Sequence, residues 1–349
     1  MGVTLGDVAR EAGVSLATAS RALNGSARTV RPELAERVRA CADALGYLPN
    51  APAQALARSS TATVGVLLHD LADPYFAALA RGACDAAVAA GLLPLVVNTD
   101  GDPAAELRGV RMLHAQRVRA IILAGSGYTD PVAAARLDAA LAEYRATGGS
   151  VAAVTDHGPG YPTVRPANRS GAAELTRALL ALGHREFAVI TGPDRLRVPG
   201  ERLAGVRDAL IEAGLALGER AVVRTEFSRE GGRRAMAGLL GPPSPGRPLP
   251  DRPRPTAVLA LSDVCAVGVL AELRARGVEV PGELSVAGFD DIPFAEDLSR
   301  PLSTVRMPLG RMGAEAVALA LEAPGVGTVR TVELPVEVVL RGTTGAPRH

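Results

Sequence analysis

The sequence predicts a three-helix head piece of the helix-turn-helix type, followed by an α/β body built on parallel sheets. Three observations predict it. Residues 3–24, VTLGDVAREAGVSLATASRALN, hold two short amphipathic stretches on either side of Gly13. From Thr61 onward, short apolar runs alternate with longer helical patterns, and strands apolar along their whole length belong to sheets covered on both faces. About 290 residues lie beyond the head, more than one modest core needs, so two sheets are expected.

Thr4 is placed to cap a first helix whose inward face carries Leu5, Val8 and Ala9, because residues three and four apart share one side. Gly13 permits a turn that a Cβ would resist, Val14 plugs the angle between the helices, and Ser15 caps the second helix. Leu16, Ala17, Thr18 and Ser20 then occupy the start of that helix, with Ala19 and Leu23 facing inward. A second helix in this position enters the major groove of DNA and reads base edges with its first turns. Leu16, Ala17 and Ser20 are therefore base-edge candidates, and Thr18 and Arg21 lie nearer the phosphates. An ordinary surface hairpin is the alternative, against which the small polar residues at the helix start weigh.

A third helix is expected from Pro32, a good first-turn residue, to Leu45, where Gly46 ends it; Leu34, Val38, Cys41, Ala42 and Leu45 face the first two helices. Arg28, Arg31, Arg37 and Arg39 are partly offset by Glu33, Glu36 and Asp43, so the head is only mildly basic. The whole chain, with 38 Lys and Arg against 37 Asp and Glu, carries a formal charge of +1. That balance argues against a protein that coats nucleic acid indiscriminately and suits one small DNA-reading module.

In the body, strands are expected at 64–68, 95–97, 120–123 and 151–154, with helices at 76–90, 104–115 and 131–147 between them. A second series has strands at 188–190, 257–260 and 284–288 and helices at 172–182, 203–213, 229–240 and 264–276. Ligands of such sheets bind beyond the carboxyl ends of the strands. The polar residues that follow those ends are His69, Asp70, Asn98, Ser126, Asp156, Ser262, Asp263, Asp290 and Asp291.

The head resembles that of the LacI/GalR family of bacterial transcriptional regulators, and the resemblance continues through Tyr47-Leu-Pro-Asn50 over nearly the whole chain. It implies a helix-turn-helix domain over 1–47, a hinge over 48–60, and an effector-binding body over 61–341 with a flexible tail over 342–349. The body would be two-lobed and periplasmic-binding-protein-like, one lobe taking about 61–162 and 292–325, the other about 163–291 and 326–341. DNA-binding residues would be Thr4, Ser15, Leu16, Ala17, Thr18, Ser20, Arg21, Asn24, Asn50, Leu56 and Arg58. Leu56 in Ala53-Gln-Ala-Leu-Ala-Arg58 would be a wedge in the minor groove. Physics alone supports a weaker statement: six residues are too few for a stable isolated helix, so the segment orders against a partner or is a plain linker.

The resemblance further implies a sugar-type effector held by Asp70, Phe76, Ser126, Asp156, Arg202, Phe227, Ser262 and Asp290. Carboxylates and guanidinium suit hydroxyls through charge-assisted hydrogen bonds, and Phe227 and Phe76 offer apolar walls. The alternative for Asp290 is a helix-capping or loop carboxylate, and for Arg202 an exposed lobe charge. The implied protein is a homodimer on a pseudo-palindromic operator, a repressor of carbohydrate uptake or catabolism genes relieved by a small sugar. Corepression and a tetramer stay open.

Two departures from the family pattern matter. Where the family has an Asp-Asn pair before Gly-Ala, this chain has Pro166-Ala-Asn168 before Gly171-Ala172, one carboxylate fewer. The stretch 241–255 is longer and richer in proline than the corresponding loop, a composition that reads as exposed and irregular. Enzyme readings find little support: Cys41, Cys84 and Cys265 lack the spacing of a zinc or redox site, and no phosphate loop, dinucleotide fingerprint or nucleophile elbow is present. No cofactor or metal is expected. Without a signal peptide or membrane span, a cytoplasmic protein is expected. A sugar binder silent toward DNA, and an enzyme on the same scaffold, are the competing classes.

Overall fold

The computed structural model describes residues 3–24, 30–47, 61–158, 160–241, 255–322 and 329–348. Asn50, Leu56, Arg58 and the rest of the expected hinge lie outside these, as do Arg28, the side chain of Asn24 and most of the proline-rich stretch. The chain divides into two compact units, 1–62 and 63–349.

The first unit is three helices, α1 (Leu5–Glu11), α2 (Leu16–Asn24) and α3 (Pro32–Ala44). Thr4 Oγ1 accepts from the Asp7 N–H while the Asp7 carboxylate accepts from the Thr4 N–H, a reciprocal cap that starts α1. Gly13 has φ +64°, the left-handed conformation its turn requires. Val8, Ala9, Ala12, Ala19, Ala22, Ala35, Val38 and Ala42 form the core, with Leu5, Val14, Leu23, Cys41 and Leu45 packed on it half-buried.

The second unit has two lobes. The first carries a parallel sheet of β1 (Thr63–Leu68), β2 (Leu93–Asn98), β3 (Ala120–Leu123), β4 (Ser150–Val154), β5 (Thr163–Pro166) and β11 (Thr331–Leu334), in the order β11-β5-β4-β3-β1-β2. Its helices α4 (Pro74–Ala89), α5 (Pro103–Ala115) and α6 (Pro131–Ala146) each begin at an Asp-Pro pair. Asp73, Asp102 and Asp130 accept from first-turn N–H groups, and the proline fixes φ where no donor is needed. The chain returns to this lobe as α11 (Leu309–Leu321), which lies so close to α4 that a Cβ at Gly82 would collide with the Gly310 carbonyl.

The second lobe has the parallel sheet β7-β6-β8-β9, with β6 (Phe187–Thr191), β7 (Val222–Arg224), β8 (Ala257–Ala260) and β9 (Ser285–Ala287). Helices α7 (Asn168–Ala181), α8 (Arg197–Glu212), α9 (Arg229–Leu240) and α10 (Asp263–Ala275) cover it. An antiparallel ribbon of β10 (Thr304–Arg306) and β12 (Glu337–Val339) joins it through bridges from Ala287 to Ser303 and from Asp290 to Arg306. One apolar core runs through both lobes, from Val66 and Ile122 to Leu259 and Phe289.

Three sequence expectations are corrected. Residues 163–166 and 331–334, expected in the second lobe, extend the sheet of the first. Strand β4 would otherwise end that sheet with unpaired backbone groups, and β5 and β11 close the ladder in succession. The stretch 326–341, expected to belong to the second lobe alone, therefore contributes strands to two different sheets. The tail is anchored through Gly345: Thr343 is fully buried, its carbonyl accepts from the Val286 N–H, and its hydroxyl accepts from the Ser303 N–H. The Gly345 carbonyl in turn lies 2.9 Å from His184 Nε2.

Candidate functional site

In the head, Ser15 Oγ accepts from the Thr18 N–H at 3.1 Å, and the two hydroxyls lie 2.8 Å apart. Ala19 and Ala22 anchor α2 inward, while Ser15, Leu16 and Ala17 at its start are exposed and Thr18, Ser20 and Arg21 are half-buried. Leu16, 57% exposed on a polar surface, is not needed by the core. Arg21 folds back to donate from Nε to the Ala17 carbonyl, which holds its guanidinium along the helix. In a helix-turn-helix, the first turns of the second helix are those that meet base edges in the major groove.

Between the two lobes of the body lies a cavity of about 230 Å³. Nearly all of its lining follows the carboxyl end of a parallel strand. His69 and Asp70 follow β1, Asp100 and Gly101 follow β2, Gly125 and Ser126 follow β3, and Thr155 follows β4. From the facing lobe come Arg195 and Leu196 after β6, Glu226 to Ser228 after β7, Ser262 after β8, and Asp290 after β9. Parallel strands end with their helices starting at the same edge, so the loops converge there.

Arg202 is the most constrained side chain of the cavity. Its Nε donates to Asn168 Oδ1 at 3.0 Å, Nη1 to the Leu261 carbonyl at 2.8 Å and Nη2 to Asp290 Oδ1 at 2.9 Å, while the guanidinium stacks on Phe289 at 3.9 Å. The Arg202 and Asp290 side chains are 3% and 4% exposed. Asp290 and Asp291 have φ values of 125° and 56°, a strained pair that turns one carboxylate inward and the other out to Arg306 and Arg341. Burial raises the Asp290 carboxyl well above its ordinary range, and Arg202 pulls against it.

The lobes are also stitched along one rim of the cavity. Tyr128 and Leu196 form an antiparallel bridge, the Arg197 N–H donates to the Gly127 carbonyl at 2.9 Å, and the Val198 N–H donates to Ser126 Oγ at 3.1 Å. A hydroxyl of one lobe thus caps helix α8 of the other. Behind this rim, His69 stacks on Tyr128 with ring centroids 6.1 Å apart and tilts against Phe76 at 5.5 Å. Burial lowers the His69 imidazole to about 3 and that of His157 to about 4, and raises the Glu106 carboxyl to about 7.

Of the eight residues expected to meet an effector, Asp70, Phe76, Ser126, Arg202, Phe227, Ser262 and Asp290 line this cavity. Asp156 does not. Its Oδ2 accepts from Arg197 Nη1 at 3.0 Å and its Oδ1 from the Gly158 N–H at 2.8 Å, so it serves the rim. Asn98 binds the Leu71 N–H, Asp263 accepts from Thr304 and the Ile292 N–H, and Asp291 serves the arginines outside. Sequence reasoning missed Asp73, Tyr75, Asp100, Arg195 and Glu226, which reach the cavity only because loops from different strands converge. Asn168, which stands in this chain without the carboxylate that precedes it in the family pattern, holds Arg202 directly and donates to Glu201. Among the described residues, no group of three or more His, Cys, Asp or Glu is placed to hold a metal ion, and no helix is long and apolar enough to cross a membrane.

Residues 4–50 match the family model for bacterial regulatory proteins of the lacI family, and residues 176–344 match a periplasmic binding protein-like domain. The chain is 35% identical over 322 residues to the transcriptional regulator GalS of Salmonella typhimurium, covering 92% of this chain and 89% of that protein. The chain belongs to the LacI family. As a LacI-family protein it is a DNA-binding transcriptional regulator with a helix-turn-helix head and a periplasmic-binding-protein-like body. Its structure is similar to that of the lac repressor dimer bound to operator and the anti-inducer ONPF, with a TM-score of 0.80, 26% identity, and 99% of this chain and all of that one covered. It is also similar to the complex of the transcriptional regulator CelR with cellobiose, with a TM-score of 0.69, 28% identity, and 98% and 99% covered.

Proposed function

We propose that this LacI-family protein represses carbohydrate uptake or catabolism genes as a homodimer on a pseudo-palindromic operator, and that a small sugar in the interlobe cavity releases it. The observation that carries the effector half is the cavity itself. The buried Arg202–Asp290 pair, the Ser126 and Ser262 hydroxyls and the Phe76 and Phe227 rings together offer directional polar groups beside apolar faces. The similar structure of the regulator CelR, a complex with cellobiose, supports the sugar class.

The dimer reading is supported by the edge of the first lobe's sheet. Strand β2 is an edge strand, and Leu93 and Val96 on it, with Val88 on the adjoining α4, are exposed apolar residues that a second copy would cover. In this reading Asn50, Leu56 and Arg58 belong to a hinge that orders on the operator, and Thr4 to Asn24 carry the base and phosphate contacts. Effector that binds only the closed cleft shifts the lobes, and hence the paired hinges, toward the form with weaker operator affinity; coupling requires such a difference in affinity between the two states.

The test is in-vitro selection of genomic fragments by the purified protein, then affinity for the best fragment with and without a panel of sugars. A palindromic site whose affinity falls with one sugar is expected. No specific site at moderate salt would refute the regulator reading, and a site indifferent to every sugar would refute the effector class.

A further inference from the structure

We propose that the interlobe cavity selects its ligand by charge, accepting uncharged or ammonium-bearing polyols and rejecting phosphorylated and carboxylated ones. This rests on the sugar-effector reading above and specifies it.

The cations that face the cavity are already engaged. Arg202 gives three of its five N–H groups to Asn168, Leu261 and Asp290, and its charge is balanced by the Asp290 carboxylate. Arg195 is bidentate to Glu226, at 2.9 Å and 2.8 Å. His69 is held neutral by burial, with the charges of His157 and Arg195 adding to the effect.

The anions are not balanced in the same way. Asp70, Asp73 and Asp100 line the cavity and make no ion pair among the described residues. Each carboxylate has only a local donor: the Ala72 N–H for Asp70, the Tyr75 N–H for Asp73, and Asn98 Nδ2 for Asp100. Burial raises the Asp73 carboxyl to about 6, with the charge of Asp70 adding to the effect and that of Arg202 opposing it.

Three of the helix starts at the cavity, the other common source of anion-binding N–H groups, are occupied as well, and α10, whose N-cap Ser262 makes no side-chain cap bond, carries the Asp263 carboxylate in its first turn. Asp73 caps α4, Ser126 and the Gly127 carbonyl take the first N–H groups of α8, and Ser228 caps α9. A phosphate would have to displace one of these caps or share the start of α10 with the Asp263 carboxylate, while facing three carboxylates that no cation balances. A hydroxyl or ammonium donor meets acceptors instead.

The test is calorimetric titration of the full-length protein, at physiological salt, with matched sets. Each set is a neutral sugar (glucose, galactose, ribose or cellobiose) with its phosphate, its uronate and its amino-deoxy form where these exist. Within whichever set binds, the phosphate and carboxylate forms are expected to bind about 100-fold or more weakly than the neutral parent, and the amino form at least as tightly as the parent. The exposed Asp100→Asn variant keeps the fold and is expected to improve the phosphorylated form severalfold relative to the neutral one. A phosphorylated or carboxylated sugar that binds as tightly as its parent overturns the charge selection and leaves the sugar reading standing. If no member of any set binds, whatever its charge, the sugar reading itself fails and the selection falls with it.

Discussion

Arg202 and Asp290, 88 positions apart in the chain, form an ion pair of 2.9 Å in which both side chains are almost wholly withdrawn from solvent. The pair joins helix α8 to the loop after β9 directly beneath the cavity. Removing one partner leaves the other charge buried and uncompensated, which costs about 3–5 kcal/mol, whereas replacing both with apolar residues of similar volume is often neutral. Asp290→Ala is therefore expected to lose about that much stability at pH 7 in chemical denaturation, and to lose the effector response of operator binding. Arg202→Met combined with Asp290→Leu is expected to recover most of the stability and none of the response. A stable Asp290→Ala protein with an unchanged response would remove the residue from the site.

Ser126 holds the lobes together by accepting the Val198 N–H. Ser126→Ala leaves that buried donor unsatisfied, at a cost of about 1 kcal/mol or somewhat more. The closed cleft bears this cost and the open one does not, so effector affinity should fall about fivefold or more with operator affinity in its absence unchanged. Titration of effector against the operator complex reads both. Equal losses in the two would assign Ser126 to general stability.

The Glu106 carboxyl titrates near 7 in the folded protein because burial raises it from the ordinary 4.5. The folded state therefore holds this proton more tightly than the unfolded state. The stability it contributes is present below about 4.5 and is lost as pH rises through about 7, by about 3 kcal/mol. His69 and His157, lowered by burial, act in the opposite sense, so the difference between Glu106→Gln and wild type isolates the carboxyl. That difference should grow in favour of the variant between pH 4.5 and 7 and then level off. A flat difference across this range would show that Glu106 is not the buried titrating group.

Gly13, at φ +64°, has nothing within 4 Å of where a Cβ would sit, so a side chain there meets backbone strain and no crowding. Gly13→Val should cost the head about 1–2 kcal/mol and weaken operator binding, with the thermal transition of the body unchanged. Full operator affinity in this variant would mean that the turn tolerates another conformation.

Leu56→Ala tests the hinge reading. Specific operator binding should weaken while sugar binding, measured calorimetrically, stays the same. Parallel loss of both would count against the assignment.

Local signals made much of the fold legible. Thr4, Gly13 and Ser15 mark their cap, turn and cap in the sequence, and strands 120–123 and 257–260 appear where their apolar runs place them. Helices α4 and α5 begin slightly earlier than their apolar patterns suggest, because the Asp-Pro pairs at 73 and 102 extend their N-termini, while α6 begins at Pro131 as expected. The candidate site was readable as far as strand ends go: Asp70, Ser126, Ser262 and Asp290 line the cavity, and Asp156, equally well placed in sequence, is taken by Arg197.

Neighbouring residues specify the helix-turn-helix, the alternation of strand and helix, and the edge at which a ligand would lie, because caps, turns and hydrophobic period act over a few positions. Long-range packing settles that β5 and β11 join the first lobe, that Thr343 docks the tail, and that Asn168, Phe289 and Asp290 converge on Arg202. Those outcomes depend on which distant strand edge, buried carbonyl or guanidinium is left to satisfy once the layers have packed, and that competition has no local signature in the chain.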